Sequence, residues 1–339
     1  MKHIFFVSSN LTFFIANKIV QLDGLQKEQC CLLLVRNYQV PPNYAHEYPC
    51  QIATDYNVDP HTGRVFAGIN IWKTYKNIRD FDYLIYKAIN DDSFIWYSPV
   101  CSNDICSLMV SRKECVGYYV TEDGLASYRE FNPQTFTRWR YWMYKLILKP
   151  LYPRIFCVKN HFITTDHPKF KGCIATSTKC FPLHQQYLRV IGSPFEPIHN
   201  DLFPDAVISI DPWYNDLNIE TINDVYQRLA QYIAKKNYKN LACKFHPRFD
   251  APQNSVIKSE YTSILNHYFP NIHILPKDTI LEQILCSPNQ DFYCGSSSVS
   301  LYVSLVGVKC YSFMSFVRDT PVWEEVPSVL QGTMINITE

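Results

Sequence analysis

The chain has 339 residues, 47% of them apolar and 19% charged, enough to bury a large core and to form two domains of ordinary size. With 32 basic and 31 acidic side chains the formal net charge is +1, so no global field draws the protein to nucleic acid, and no nucleic-acid partner is expected. Thirteen cysteines, an odd number without a CxxC pair, read as reduced cytosolic thiols rather than a disulfide framework, and paired metal-ligand spacings are missing.

In chain order, an apolar run over residues 4–7 passes through Ser8, Ser9 and Asn10 into a helix-like pattern over 11–20. This reads as strand, polar turn and helix. It is too short to span a membrane and has no signal-peptide cleavage pattern, and no other run approaches the roughly 20 apolar residues of a spanning helix; a cytoplasmic protein is expected. Further strands are expected at 30–36, 82–86, 94–97 and 115–120. Short apolar strands separated by crossovers argue for parallel α/β sheets. Ligands of such sheets lie beyond the carboxyl ends of the strands, which places Ser9 and Asn10 among the substrate-binding candidates.

The strand at 115–120 runs into Thr121-Glu122-Asp123-Gly124, two adjacent carboxylates with a glycine to turn the chain. Taken alone, such a sequence is a helix cap or a solvated turn. As a site, one carboxylate would remove a proton from an attacking hydroxyl while the other orients or tunes it. Residues 136–154 carry Arg138, Arg140, Lys145, Lys149 and Arg154 among Trp139, Tyr141 and Trp142, with no acid. They read as a helix ended by Pro150 and Pro153, with three roles open: a buried face with snorkelling cations, a peripheral contact with the inner membrane, or a platform for an acceptor sugar. Strands at 155–158 and 174–176 complete this half. His161, His167 and His184 match no helix-face metal spacing, and no metal is expected.

A cluster of Gly192, Pro194, Pro197, Asn200 and Pro204 marks a linker, dividing the chain into domains 1–195 and 196–339, with the last residues able to pack back on the first. The second domain should hold a strand at 206–210, a loop at 211–216 that is either an ordinary proline turn or faces a ligand, a helix at 222–236 and a strand at 240–244. Lys244-Phe245-His246-Pro247 follows, then a helix at 261–268, a strand at 271–275, Pro276 with Glu282 beyond it, a strand at 292–294, the turn Gly295-Ser296-Ser297-Ser298 and a helix at 299–306. Successive strand ends therefore offer His246, Glu282 and a serine cluster. A departing phosphate needs its growing charge stabilised. His246 can do this as a donor or acid, and the backbone N–H groups and hydroxyls of Ser296–Ser298 can do it at a helix start. Glu282 can accept both hydroxyls of a ribose, and Lys244 and Gly295 flank the same ends. Each also has an ordinary reading: His-Pro recurs at His167-Pro168, Glu282 can be a solvated helix residue, and serine runs cap helices.

Taken in order, Glu122-Asp123-Gly124, Lys244-Phe245-His246-Pro247, Pro276 with Glu282, and Ser297-Ser298 resemble the bacterial sialyltransferase superfamily, whose members share an acidic D/E-D/E-G motif, an HP motif and a late serine motif. The resemblance covers about residues 118–313. It implies a GT-B architecture, two Rossmann-like domains facing across a cleft, with CMP-sialic acid held chiefly by the second. By the same resemblance Asp123 is the base, with Glu122 as its catalytic neighbour, and His246 meets the CMP phosphate and assists its departure. Glu282 binds ribose, Pro247 shapes the cytidine site, and Ser297 and Ser298 bind phosphate. The implied reaction is an inverting displacement at the anomeric carbon that needs neither metal nor cofactor. Its partners are a CMP-sugar donor and an oligosaccharide acceptor, and it leaves room for a homodimer. Phe245 stands where many relatives have a small residue, and the serine motif can be registered on Ser297-Ser298 or nearer Ser300. Other CMP-activated acid sugars, such as Kdo, legionaminic or pseudaminic acid, and a non-catalytic binding protein stay open as alternatives.

Overall fold

Five of the six residues in the first strand, Lys2–Val7, are buried, as expected of a strand covered on both faces of a parallel sheet. The computed structural model describes the chain apart from residues 36, 54–70, 100–103, 129–166, 198–203, 214–215, 247–248, 250–253, 324–328 and 339. The chain divides into two compact units, Met1–Pro194 and Phe195–Glu339.

The first unit contains β1 (Lys2–Val7), β2 (Cys30–Leu34), β3 (Cys50–Ala53), β4 (Phe94–Ser98), β5 (Cys115–Thr121), β6 (Phe170–Ala175) and β7 (Leu188–Val190), with helices α1 (Asn10–Leu22), α2 (Ile71–Ile89) and α3 (Asp104–Ser111). All pairings are parallel, in the order β3-β2-β1-β4-β5-β6-β7. The direction of winding reverses between β1 and β4, which is where such sheets open a crevice at their carboxyl edge. Ser9 caps α1 in a reciprocal capping box with Thr12, satisfying donors that the first helical turn leaves without partners.

Residues 82–86, expected as a weak strand, belong instead to α2. In that helix Ile78, Phe81, Ile85 and Ile89 are buried while Tyr83 and Tyr86 are exposed. A five-residue window is too short to separate this 3.6-residue period from the alternation of a strand. Buried Arg112 ties α2 to β5 through ion pairs with Asp82 and, at 3.3 Å, with Glu114. The described cysteines are free thiols, most of them buried, where they pack as small hydrophobes. The expected strand at 155–158 and the cationic aromatic stretch 136–154 lie outside the described residues.

The second unit repeats the plan. Its strands are β8 (Ala206–Ile210), β9 (Leu241–Phe245), β10 (His273–Ile274), β11 (Asp291–Cys294), β12 (Lys309–Ser312) and β13 (Met334–Asn336), and its helices are α4 (Ile219–Ala234), α5 (Ser255–Tyr268), α6 (Leu281–Ile284) and α7 (Val299–Ser304). The parallel order β10-β9-β8-β11-β12-β13 reverses between β8 and β11. On α4 the buried positions Ile222, Val225, Tyr226, Leu229, Ala230 and Ile233 follow helical spacing and form one apolar stripe. All but Ala230 join Ile208, Phe245, Phe249, Tyr261 and Phe313 in a single core. Phe245, the bulky residue before His246, is thus a core anchor, edge-to-face with Phe249 at 5.3 Å. The last residues supply the edge strand of this sheet, and the Ile337 N–H extends it by donating to the Ser312 carbonyl. Among the described residues no helix is long and apolar enough to cross a membrane.

Candidate functional site

In the first unit the acidic pair stands at the carboxyl end of β5. Gly124 has φ +60, a left-handed conformation that glycine adopts without steric cost, and this turns the chain into the 3-10 segment Gly124–Tyr128. The two carboxylates have different surroundings. Glu122 has no exposed surface: its Oε1 accepts from the Tyr128 hydroxyl at 2.9 Å, and its Oε2 accepts from the Thr176 N–H at 2.7 Å and the Thr176 hydroxyl at 2.8 Å. Asp123 is half-buried, and its N–H donates to Ser127 Oγ at 2.7 Å. Glu122, expected beside Asp123 as a catalytic residue, is buried, and its carboxylate joins the ends of β5 and β6 to the turn carrying Asp123. Burial and the charge of Glu122 together push the Tyr128 hydroxyl far up, so Tyr128 stays a proton donor to that carboxylate.

Ser9 and Asn10 lie at the carboxyl end of β1. Ser9 is occupied in the capping box, and Asn10 Oδ1 accepts from the Tyr38 hydroxyl at 2.9 Å. Both side chains have structural work at the positions where substrate contacts were expected.

In the second unit, His246 follows β9 and is exposed. Its N–H donates to the Ile210 carbonyl at 3.0 Å and its carbonyl accepts from the Phe249 N–H at 2.9 Å, so the backbone pins the turn on which the imidazole is mounted. Pro247 lies outside the described residues. Lys244 donates its ammonium to the Thr279 carbonyl, which fastens the end of β9 to the segment leading into α6. Burial lowers the Lys244 pKa, partly opposed by Glu282 and Asp278; burial raises that of Glu282, partly opposed by its own backbone N–H and by Lys244. Glu282 opens α6 and is half-buried. The strand ends thus bring Lys244 and Glu282 into electrostatic reach of each other. The distance between them in sequence does not reveal this.

Gly295–Ser298 follow β11, and Asp211 follows β8, so they meet where the winding reverses. The Gly295 N–H donates to Asp211 Oδ2 at 3.1 Å, and its carbonyl accepts from Ser312 Oγ at 2.8 Å. Gly295 was expected to contact substrate, but its N–H is engaged by Asp211. A side chain is also excluded there, because a Cβ would meet Asp211 Oδ2 at 2.7 Å, Trp213 Cζ2 at 2.8 Å and Met314 Sδ at 3.2 Å. Gly295→Ala should therefore lower stability by about 1–3 kcal/mol, read as an earlier urea midpoint; an unchanged midpoint would show that the Asp211 loop gives way freely.

Ser296, Ser297 and Ser298 are half-buried, whereas Ser300 is fully buried with its hydroxyl 2.5 Å from the Ser297 carbonyl and 3.4 Å from Met334 Sδ. The serines that reach the surface are the first three. Because α7 has only six residues, its dipole is small, and anion contacts at this turn would come from hydroxyls and individual N–H groups rather than from a helix field.

Thr176 and Tyr128, the partners of Glu122, are the residues that the sequence did not single out, whereas Asp211 opens the loop at 211–216 for which a ligand-facing role was open. Nothing in the chain links Thr176 to Glu122, 54 positions apart. Among the described residues no group of three or more metal-ligating side chains gathers.

No protein-family model and no curated protein matches the chain. Solved structures do. The UDP-GlcNAc 2-epimerase from Methanocaldococcus jannaschii is 12% identical with TM-score 0.52, the alignment covering 99% of this chain and 89% of that one. The UDP-GlcNAc 2-epimerase from Neisseria meningitidis bound to UDP-GlcNAc is 12% identical with TM-score 0.51, covering 98% and 86%. The sialyltransferase from Photobacterium damsela is 9% identical with TM-score 0.53, covering 99% and 81%. At these identities the likeness establishes the fold: the chain is α/β of the GT-B type, built from two Rossmann-like units.

Proposed function

We propose that this chain is an inverting glycosyltransferase that moves sialic acid from CMP-sialic acid to a hydroxyl of a surface glycan such as lipooligosaccharide or capsule, working in the cytoplasm. The observation that carries the reading is the grouping of His246, Lys244 with Glu282, and Ser296–Ser298 at the carboxyl edge of the second sheet, around its reversal point. Nucleotides are held at that edge in sheets of this kind. The order of the acidic, His-Pro and serine motifs supports CMP as the nucleotide.

Asp123 takes the proton of the acceptor hydroxyl as its oxygen bonds to the anomeric carbon, and the bond from that carbon to the CMP phosphate oxygen breaks with both electrons. His246 donates a hydrogen bond or a proton to the departing phosphate, and the hydroxyls of Ser296–Ser298 hold its remaining oxygens. Glu282 accepts from the ribose hydroxyls, Pro247 borders the cytosine, and Lys244 sets the segment that carries Glu282. Glu122 holds the turn of Asp123. No metal takes part in this scheme.

Incubation with CMP-sialic acid, with and without lactose, tests it through release of CMP. Release together with a sialylated lactose supports the proposal, and chelator should leave the rate unchanged. Turnover only with another CMP-linked acid sugar such as CMP-Kdo would move the assignment to that donor. Binding of CMP without turnover would make the chain a nucleotide-binding protein, and turnover of UDP-GlcNAc alone would overturn the choice of nucleotide.

A further inference from the structure

Outside the two candidate half-sites, the outer face of α2 carries a continuous exposed stripe. At 100° per residue, Trp72, Lys76, Arg79, Tyr83, Tyr86 and Lys87 fall within an arc of about 100°, and all six are exposed, Trp72 to 80%. Lys73 lies beside this stripe and is exposed as well. The opposite arc is the buried stripe of Ile78, Phe81, Ile85 and Ile89. The helix has 19 residues, so the outer stripe is a line about 28 Å long.

The stripe has cations and aromatic rings and no acid. Asp80 and Asp82 are half-buried on its flank, with Asp82 paired to Arg112. The exposed acids Asp91 and Asp92 come only after the helix has ended, where Asp91 accepts from the Tyr86 hydroxyl at 3.4 Å. Lys87 lies over the Tyr83 ring at 4.7 Å, which holds one cation along the aromatic line. Three amphipathic rings exposed in one row cost solvation in water, yet they suit the boundary between lipid headgroups and acyl chains. Lysine and arginine stems beside them can reach phosphate. Nucleic-acid phosphates would attract the same cations, and lysine and arginine also read guanine edges, so RNA is the rival occupant, to be separated from lipid by experiment.

We propose that α2 is a membrane-surface helix, its outer face of Trp72, Lys76, Arg79, Tyr83, Tyr86 and Lys87 lying on an anionic lipid leaflet. The proposal is independent of the transferase reading and concerns a segment other than 136–154. Trp72 enters the interface at one end of the line, and the cations draw the helix to anionic headgroups. Association is reversible and weakens with salt, because the attraction is largely electrostatic.

The test is sedimentation of the full chain with vesicles of phosphatidylglycerol and phosphatidylcholine, and with phosphatidylcholine alone. Binding is expected to the first, reduced at high salt. The Lys76→Glu/Arg79→Glu variant should bind the anionic vesicles at least about tenfold more weakly, and Trp72→Ala severalfold more weakly, with melting temperatures unchanged because all three side chains are exposed. Equal binding to both vesicles, no binding, or variants that bind like the parent would each overturn the proposal. A single-stranded RNA oligonucleotide is added as a third arm, and a charge-reversal variant that loses binding to it while keeping its binding to vesicles would overturn the proposal too.

Discussion

Asp123→Ala and His246→Ala should each lower sialyl transfer by about a hundredfold or more, with both proteins folded and melting as the parent does. Neither side chain is fully buried. Asp123 is half-buried and its backbone N–H donates to Ser127 Oγ. His246 is exposed, and its turn is held by the backbone bonds to Ile210 and Phe249. The chemistry also separates their effects. A base that removes the acceptor proton acts on transfer to lactose, so Asp123→Ala should suppress transfer while CMP still binds. Loss of His246 leaves the phosphate without a donor, so transfer should recover in part when the leaving group is made intrinsically better. Steady-state rates with lactose, together with CMP affinity by calorimetry, would check both. Near-normal turnover in the two variants would sink the mechanism.

Glu122→Ala should destabilise the first unit by about 3 kcal/mol or more, because it strips the Tyr128 hydroxyl and the Thr176 N–H and hydroxyl of one shared acceptor inside the protein, and each unsatisfied buried group costs about 1–3 kcal/mol. For a unit of this size that corresponds to a fall of about 6–12 °C in melting temperature. Glu122→Gln should lie between, since the amide oxygen can still accept while its NH2 group faces other donors. Calorimetry and transfer rates on the same samples distinguish positioning from chemistry: activity should follow the folded fraction. A hundredfold drop in kcat in a fully folded Glu122→Gln protein would instead bring that carboxylate into the reaction.

Much of the architecture was legible because buried parallel strands are short continuous apolar runs, and their handover to polar residues marks the carboxyl edge where a site can form. Runs such as Cys30–Leu34, Ala206–Ile210 and Leu241–Phe245 are strands for that reason. The failure at 82–86 has an equally plain cause. Tyr83, Ile85 and Tyr86 are β-favouring in isolation, and only the buried spacing of Ile78, Phe81, Ile85 and Ile89 shows the helical period. The serine register was open in one dimension, since Ser297, Ser298 and Ser300 are chemically alike. Packing separates them by turning Ser300 inward onto Met334.

The sequence by itself determined two parallel α/β units and a set of polar strand ends, because period and burial are properties of neighbouring residues. Tertiary structure alone decided which of two adjacent carboxylates is sealed and which stands half-open. Thr176, just after β6, reaches Glu122 just after β5, and Asp211, after β8, takes the N–H of Gly295 after β11. Both pairings are made by the sheet, which sets side by side strands that the chain keeps far apart. The roles of Glu122 and Gly295 follow from those neighbours, and no spacing along the chain records them.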